Sequence, residues 1–128
     1  MKDIINTKNA PQPIGPYSQA IQVNNILILS GQIPIDVVSN YIPQNISEQT
    51  YLVLVNIKAI LTQAKFQIKD IIKTTIFTTD LKKIDIINEI YTKFFIDNKS
   101  EFPARSCVEV KSLPKNVKIE IEAIAYQK

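Results

Sequence analysis

The run Lys118-Ile-Glu-Ile-Glu-Ala-Ile-Ala125 alternates with period two, placing Ile119, Ile121, Ala123 and Ala125 on one face and Glu120, Glu122 and Ile124 on the other. It reads as a strand whose first face is buried. Residues 104–110 read the same way, with Arg105 and Cys107 on one face and Ser106, Val108 and Val110 on the other. Paired as a closing hairpin, residues 104–110 and 118–126 would bring a guanidinium and a carboxylate into one small site.

Arg105 is the only arginine among fifteen basic side chains. In a chain so rich in Ile, Lys and Asn, which suggests an AT-rich coding sequence, lysine is the default cation. A lone arginine then points to a need for its planar fork, which holds a carboxylate through two parallel N–H donors where lysine offers a point charge. The competing reading is a cross-strand ion pair with Glu120 or Glu122. Glu120 by itself reads more readily as a solvent-facing strand residue.

Upstream, Asn9-Ala-Pro-Gln-Pro-Ile-Gly-Pro16 is too rich in proline for a helix or central strand and reads as an extended lead-in. Residues 17–23 and 26–33 form a hairpin about Asn24-Asn25. Ser30-Gly31 interrupts the second strand, marking either a packing bulge or the close approach of another group, in which case Ser30 sits at a ligand. After a loop over 36–46, Asn45 and Glu48 resemble a capping box opening a helix of about five turns, with Val53, Ile57, Ile60, Leu61 and Ala64 at helical spacing. Lys65 ends it, at positive φ if it occupies the position that usually takes glycine. A β-branched strand spans 71–78. Asp85 then caps a second helix with the stripe Ile86, Ile87, Ile90, Tyr91, Phe94 and Phe95, a pattern that a core alone explains. Asn88 beside it reads as a surface residue. The order ββαβαββ predicts one α+β domain over residues 1–128, a mixed sheet with both helices on one face. Residues 1–13 and 36–46 are the candidate tails or lids.

Composition bounds the function. One cysteine and no histidine exclude internal disulfides, the usual transition-metal sites and Ser-His or Cys-His nucleophiles. Two glycines make no phosphate-cradling loop. The net charge of +3 is spread thinly, so nucleic acid is not an expected partner. No run approaches the roughly 18 apolar residues of a membrane span, and no signal peptide is recognised, so a cytoplasmic location is expected.

Phe102-Pro-Ala-Arg-Ser-Cys107, the later Leu113-Pro114 and Ile119-Glu-Ile121 resemble the signature of the Rid family, the reactive imine and enamine deaminases also known under the YjgF name. Pro16-Tyr-Ser-Gln-Ala20, Leu29-Ser-Gly-Gln-Ile-Pro34, Asn56–Leu61, Lys73-Thr-Thr75 and Asn88-Glu-Ile-Tyr91 match it in the same order. The resemblance implies a chorismate-mutase-like fold and hydrolysis of 2-iminoacids or their enamine tautomers to 2-oxoacids and ammonia, without a cofactor or metal. Arg105 would hold the substrate carboxylate and Glu120 activate water. Tyr17, Ser30, Gly31, Asn88 and Cys107 would line the pocket. Two other activities are associated with such chains: endoribonuclease or translation inhibition, and 2-oxoacid binding without turnover. The resemblance further implies a homotrimer with active sites between subunits, and apolar residues on both sheet faces point the same way. Arg105 and Glu120 of one chain are expected to face residues such as Tyr17 or Asn88 across that boundary.

Overall fold

The computed structural model describes residues 2–128. The first residues expected in a strand but found outside it are Tyr17, Ser18 and Gln19. The strand β2 runs only over Ala20–Val23, and β3 over Ile26–Gln32, with Asn24 at φ 52 in the turn. Strand β1, Lys2–Ile5, lies antiparallel to β2 where the sequence suggested a tail or lid. Four residues with two charges carry no clear period; pairing with the edge of β2 makes them a strand. The lead-in behind it is held by buried Gln19, whose amide donates to the carbonyls of Thr7, Ala10 and Pro11 and accepts from the Thr7 N–H.

Helix α1 (Ile46–Gln63) starts where Asn45 predicts: its side chain accepts from the Glu48 N–H at 2.8 Å, satisfying one orphan donor of the first turn. Val53, Ile57, Ile60 and Leu61 are buried, and Lys65 follows the end of the helix at φ 65. Such a conformation costs about 1 kcal/mol relative to glycine. The loop over 36–46 is tied down by Asp36, whose carboxylate accepts from the Val38 and Ser39 N–H groups. Strand β4 is Ile71–Thr78, as expected.

Helix α2 (Ile84–Asp97) begins one residue before Asp85, which therefore lies inside its first turn and is not its cap. The capping carboxylate is Asp80, which accepts from the Lys82 N–H to open a short 3-10 turn over Leu81–Lys83 that runs into the helix. Both positions suit a negative charge near a helix start, so the pattern alone does not separate them.

Strands β5 (Ala104–Glu109) and β6 (Ile119–Tyr126) are not a hairpin. The sheet order is β1-β2-β3-β6-β4-β5, so β4 separates them. β5 runs parallel to β4 because helix α2 carries the chain back over the sheet between them, whereas β6 is antiparallel to both β3 and β4. The α+β expectation with both helices on one face holds: α1 packs against α2 and over β3 and β6. Ile119, Ile121, Ala123 and Ala125 of β6 meet them, with Leu27, Leu29 and Ile76 from the neighbouring strands, in one core. Among the described residues, no helix covers the other sheet face. There Ile4, Ile26, Ile28 and Val108 are 67, 40, 49 and 42% exposed, so apolar side chains stand uncovered on this face beside Glu120 and Glu122.

Candidate active site

The expected site residues divide into two clusters on opposite faces of the sheet. Glu120 projects from β6 to the open face. Its pairing partner is Phe77 of β4, whereas Arg105 pairs with Thr74 of β4 and lies on the helix face. Two strand spacings and three residues of β4 separate them, about 10 Å in each direction. One chain therefore does not join guanidinium to carboxylate. The cross-strand ion pair is absent too, and Lys93–Asp97 on α2 is the one salt bridge among the described residues.

The first cluster gathers about Glu120. Tyr17, Ser30, Gly31 and Glu120 line a cavity of about 250 Å³ whose apolar walls are Ile14, Ile33 and Pro114. Asn56 of α1 fixes one wall, since its buried amide donates to the carbonyls of Ile33 and Ile35. Glu120 lies directly over Gly31: a Cβ added there would sit 1.9 Å from a carboxylate oxygen. The register shift between Leu29 and Gln32 is the bulge that Ser30-Gly31 signalled, and the approaching group is the glutamate itself. Burial, and then the charge of Glu122, raise the Glu120 pKa above the ordinary carboxylate range. Ser30 donates its hydroxyl to the Ser18 carbonyl, so the oxygen it offers a ligand is an acceptor. Tyr17 is the reverse, since its oxygen accepts from the Ile14 N–H and leaves its own O–H free to donate.

The second cluster gathers about Arg105, whose Nη1 donates to Asn88 Oδ1 at 2.8 Å. Asn88 thus belongs with Arg105 of the same chain, which corrects the expectation that it meets Arg105 across a boundary. Cys107 shares that face as the alternation predicts and packs against the core edge. Burial raises its thiol pKa, with the Arg105 charge working against it, so the sulfur is a neutral thiol at pH 7. One residue was missed: Tyr91, read as core stripe, also carries the guanidinium over its ring, with Cζ 5.2 Å from the centroid. Its position three after Asn88, on the same helix face, was the available signal.

Chemically, one cluster offers a fixed cation with free donors and the other a raised-pKa carboxylate among polar groups. Together they could bind a small carboxylate-bearing molecule and move a proton. No group of three or more His, Cys, Asp or Glu suited to a metal ion occurs among the described residues, and no helix there is long and apolar enough to cross a membrane.

Comparison with known proteins agrees over nearly the whole chain. The family described as Endoribonuclease L-PSP matches residues 7–127. A RutC family protein of Buchnera aphidicola subsp. Acyrthosiphon pisum is 76% identical over the full length of both chains. A 2-iminobutanoate/2-iminopropanoate deaminase of Escherichia coli is 46% identical, again over all of both chains. Among solved structures, Escherichia coli TdcF with bound serine superposes with a TM-score of 0.97 at 45% identity, covering 98% of this chain and 99% of that one. With its sequence signature, its sheet order and its relatives in agreement, this chain belongs to the Rid (YjgF) family.

Proposed function

We propose that the protein hydrolyses reactive 2-iminoacids and their enamine tautomers, such as 2-iminobutanoate and 2-iminopropanoate, to 2-oxoacids and ammonia. The observation that carries this reading is the Glu120 carboxyl group: half-buried, raised in pKa, facing a small cavity and in no salt bridge among the described residues. Names borne by relatives at 46% identity support it.

Arg105 anchors the substrate carboxylate, and the protonated imine presents an electrophilic carbon. Glu120 takes a proton from water as its oxygen adds to that carbon. Glu120 passes that proton to the amine nitrogen and takes up the hydroxyl proton as the carbonyl forms and the C–N bond breaks; ammonia leaves, carrying this last proton away as ammonium, and the 2-oxoacid remains. Tyr17 donates to, and Ser30 accepts from, the bound molecule, with Cys107 a small neutral wall. No cofactor enters this balance.

Because the two clusters lie on opposite faces of one sheet, a complete site takes Arg105, Asn88 and Cys107 from one subunit and Tyr17, Ser30, Gly31 and Glu120 from the next. A closed homotrimer supplies that arrangement three times and covers the apolar open face. The test is release of 2-oxobutyrate from freshly generated 2-iminobutyrate, timed against the uncatalysed reaction. Acceleration supports the reading. Binding of 2-oxobutyrate without acceleration favours a non-catalytic binder, and cleavage of RNA without acceleration favours the endoribonuclease.

A further inference from the structure

Arg105 stands on β5, the edge strand, and is itself exposed. A long side chain there samples many rotamers unless something beneath it sets its course. Tyr91 supplies such a base. Its hydroxyl and Thr74 Oγ1 share a 2.6 Å hydrogen bond in a buried setting, and its ring tilts against Phe95 with centroids 4.6 Å apart. Thr74 is the residue of β4 in register with Arg105. The ring is therefore fixed from the strand beside the arginine and from the helix behind it, and the guanidinium rests over its face. One helical turn before Tyr91, Asn88 takes Nη1. The edge formed by Nε and Nη2 makes no hydrogen bond among the described residues, which leaves its donors to a carboxylate.

We propose that Tyr91, held by Thr74, is a positioning residue that orients Arg105 for carboxylate binding. The inference rests on Arg105 being the substrate anchor. A leucine at position 91 would fill much of the same core volume, yet it offers neither the negative ring face that attracts a cation nor the hydroxyl that fixes the ring.

The composition makes the test direct, because arginine-selective ¹⁵N labelling of a chain with one arginine yields a single Nε–H signal. In the parent protein that signal should be displaced by the ring. Tyr91→Leu should move it toward the position of free arginine and weaken 2-oxobutyrate binding about two- to fivefold, the range of a cation–π contact. The acid limb of the pH–rate profile, set by Glu120, should stay in place. Tyr91→Phe and Thr74→Val keep the ring and should show smaller displacements in the same direction. A folded Tyr91→Leu variant whose arginine signal and 2-oxobutyrate affinity are both unchanged overturns the proposal. Should Tyr91→Leu fail to fold, unmoved signals in both milder variants overturn it equally. A parent that neither binds 2-oxobutyrate nor turns over imine, while its arginine signal still shifts in Tyr91→Leu, supports the clamp and instead overturns the anchor role of Arg105.

Discussion

Replacing Gly31 by alanine puts a methyl group where the Glu120 carboxylate now lies. The added Cβ would be 1.9 Å from one carboxylate oxygen, 2.8 Å from Cδ and 3.0 Å from Cγ, against about 3.4 Å for ordinary contact. The oxygen must therefore retreat by about 1.5 Å. The atoms that move are the end of a flexible side chain, so the fold absorbs the change by turning Glu120 off its present rotamer, at about 0.5–1.5 kcal/mol. Gly31 does not have positive φ, so alanine is compatible with the backbone and stabilises by about 0.4–1 kcal/mol through the unfolded chain. The two effects nearly cancel, and the melting temperature should change little. Activity should not survive so well, because misplacing a reacting group by about 1 Å can lower the rate on the order of 100-fold. The assay is 2-oxobutyrate release from fresh 2-iminobutyrate, with thermal unfolding and 2-oxobutyrate affinity measured in parallel. A Gly31→Ala enzyme within threefold of the parent would show that the carboxylate position over residue 31 is irrelevant to turnover. Loss of more than about 2 kcal/mol of stability would instead make the glycine a packing requirement of the bulge.

Further outcomes concern the carboxylate, its neighbour and the assembly. Glu120→Gln should keep 2-oxobutyrate binding in calorimetric titration yet lose turnover, since the amide fills the space without acting as a base; equal loss of both would make Glu120 structural. Because burial first and the Glu122 charge second raise the Glu120 pKa, kcat/KM should rise with pH through a value above the ordinary carboxylate range. Glu122→Gln removes one repelling charge and makes ionisation easier, so that acid limb should move to lower pH; a shift upward contradicts the assignment. Sedimentation equilibrium should return three times the 14.5 kDa chain mass. Refolding equal amounts of inactive Arg105→Ala and Glu120→Ala chains together should restore about one quarter of the sites if each site draws on two neighbours, and none if both groups come from one chain.

The elements of this protein were largely legible in its sequence because they rest on local rules. The period-two run of β6, the period-3.6 stripes of both helices, the Asn45 cap and the positive φ of Lys65 are each fixed within a few residues of chain. That Arg105 and Cys107 share one face of their strand, and Glu120 and Ile124 one face of theirs, follows from the same alternation. What alternation cannot give is which strand lies next to which, since a residue's face along its own strand does not fix how that strand joins the sheet. Only the tertiary structure decided that β4 separates β5 from β6, that Lys2–Ile5 is recruited as an edge strand, and that Asn88 reaches Arg105 within the chain. Sequence motifs put Arg105 and Glu120 in one short segment and so invited one intrachain site. β4 lies between β5 and β6, and their registers on it, Arg105 with Thr74 and Glu120 with Phe77, set the two side chains on opposite faces.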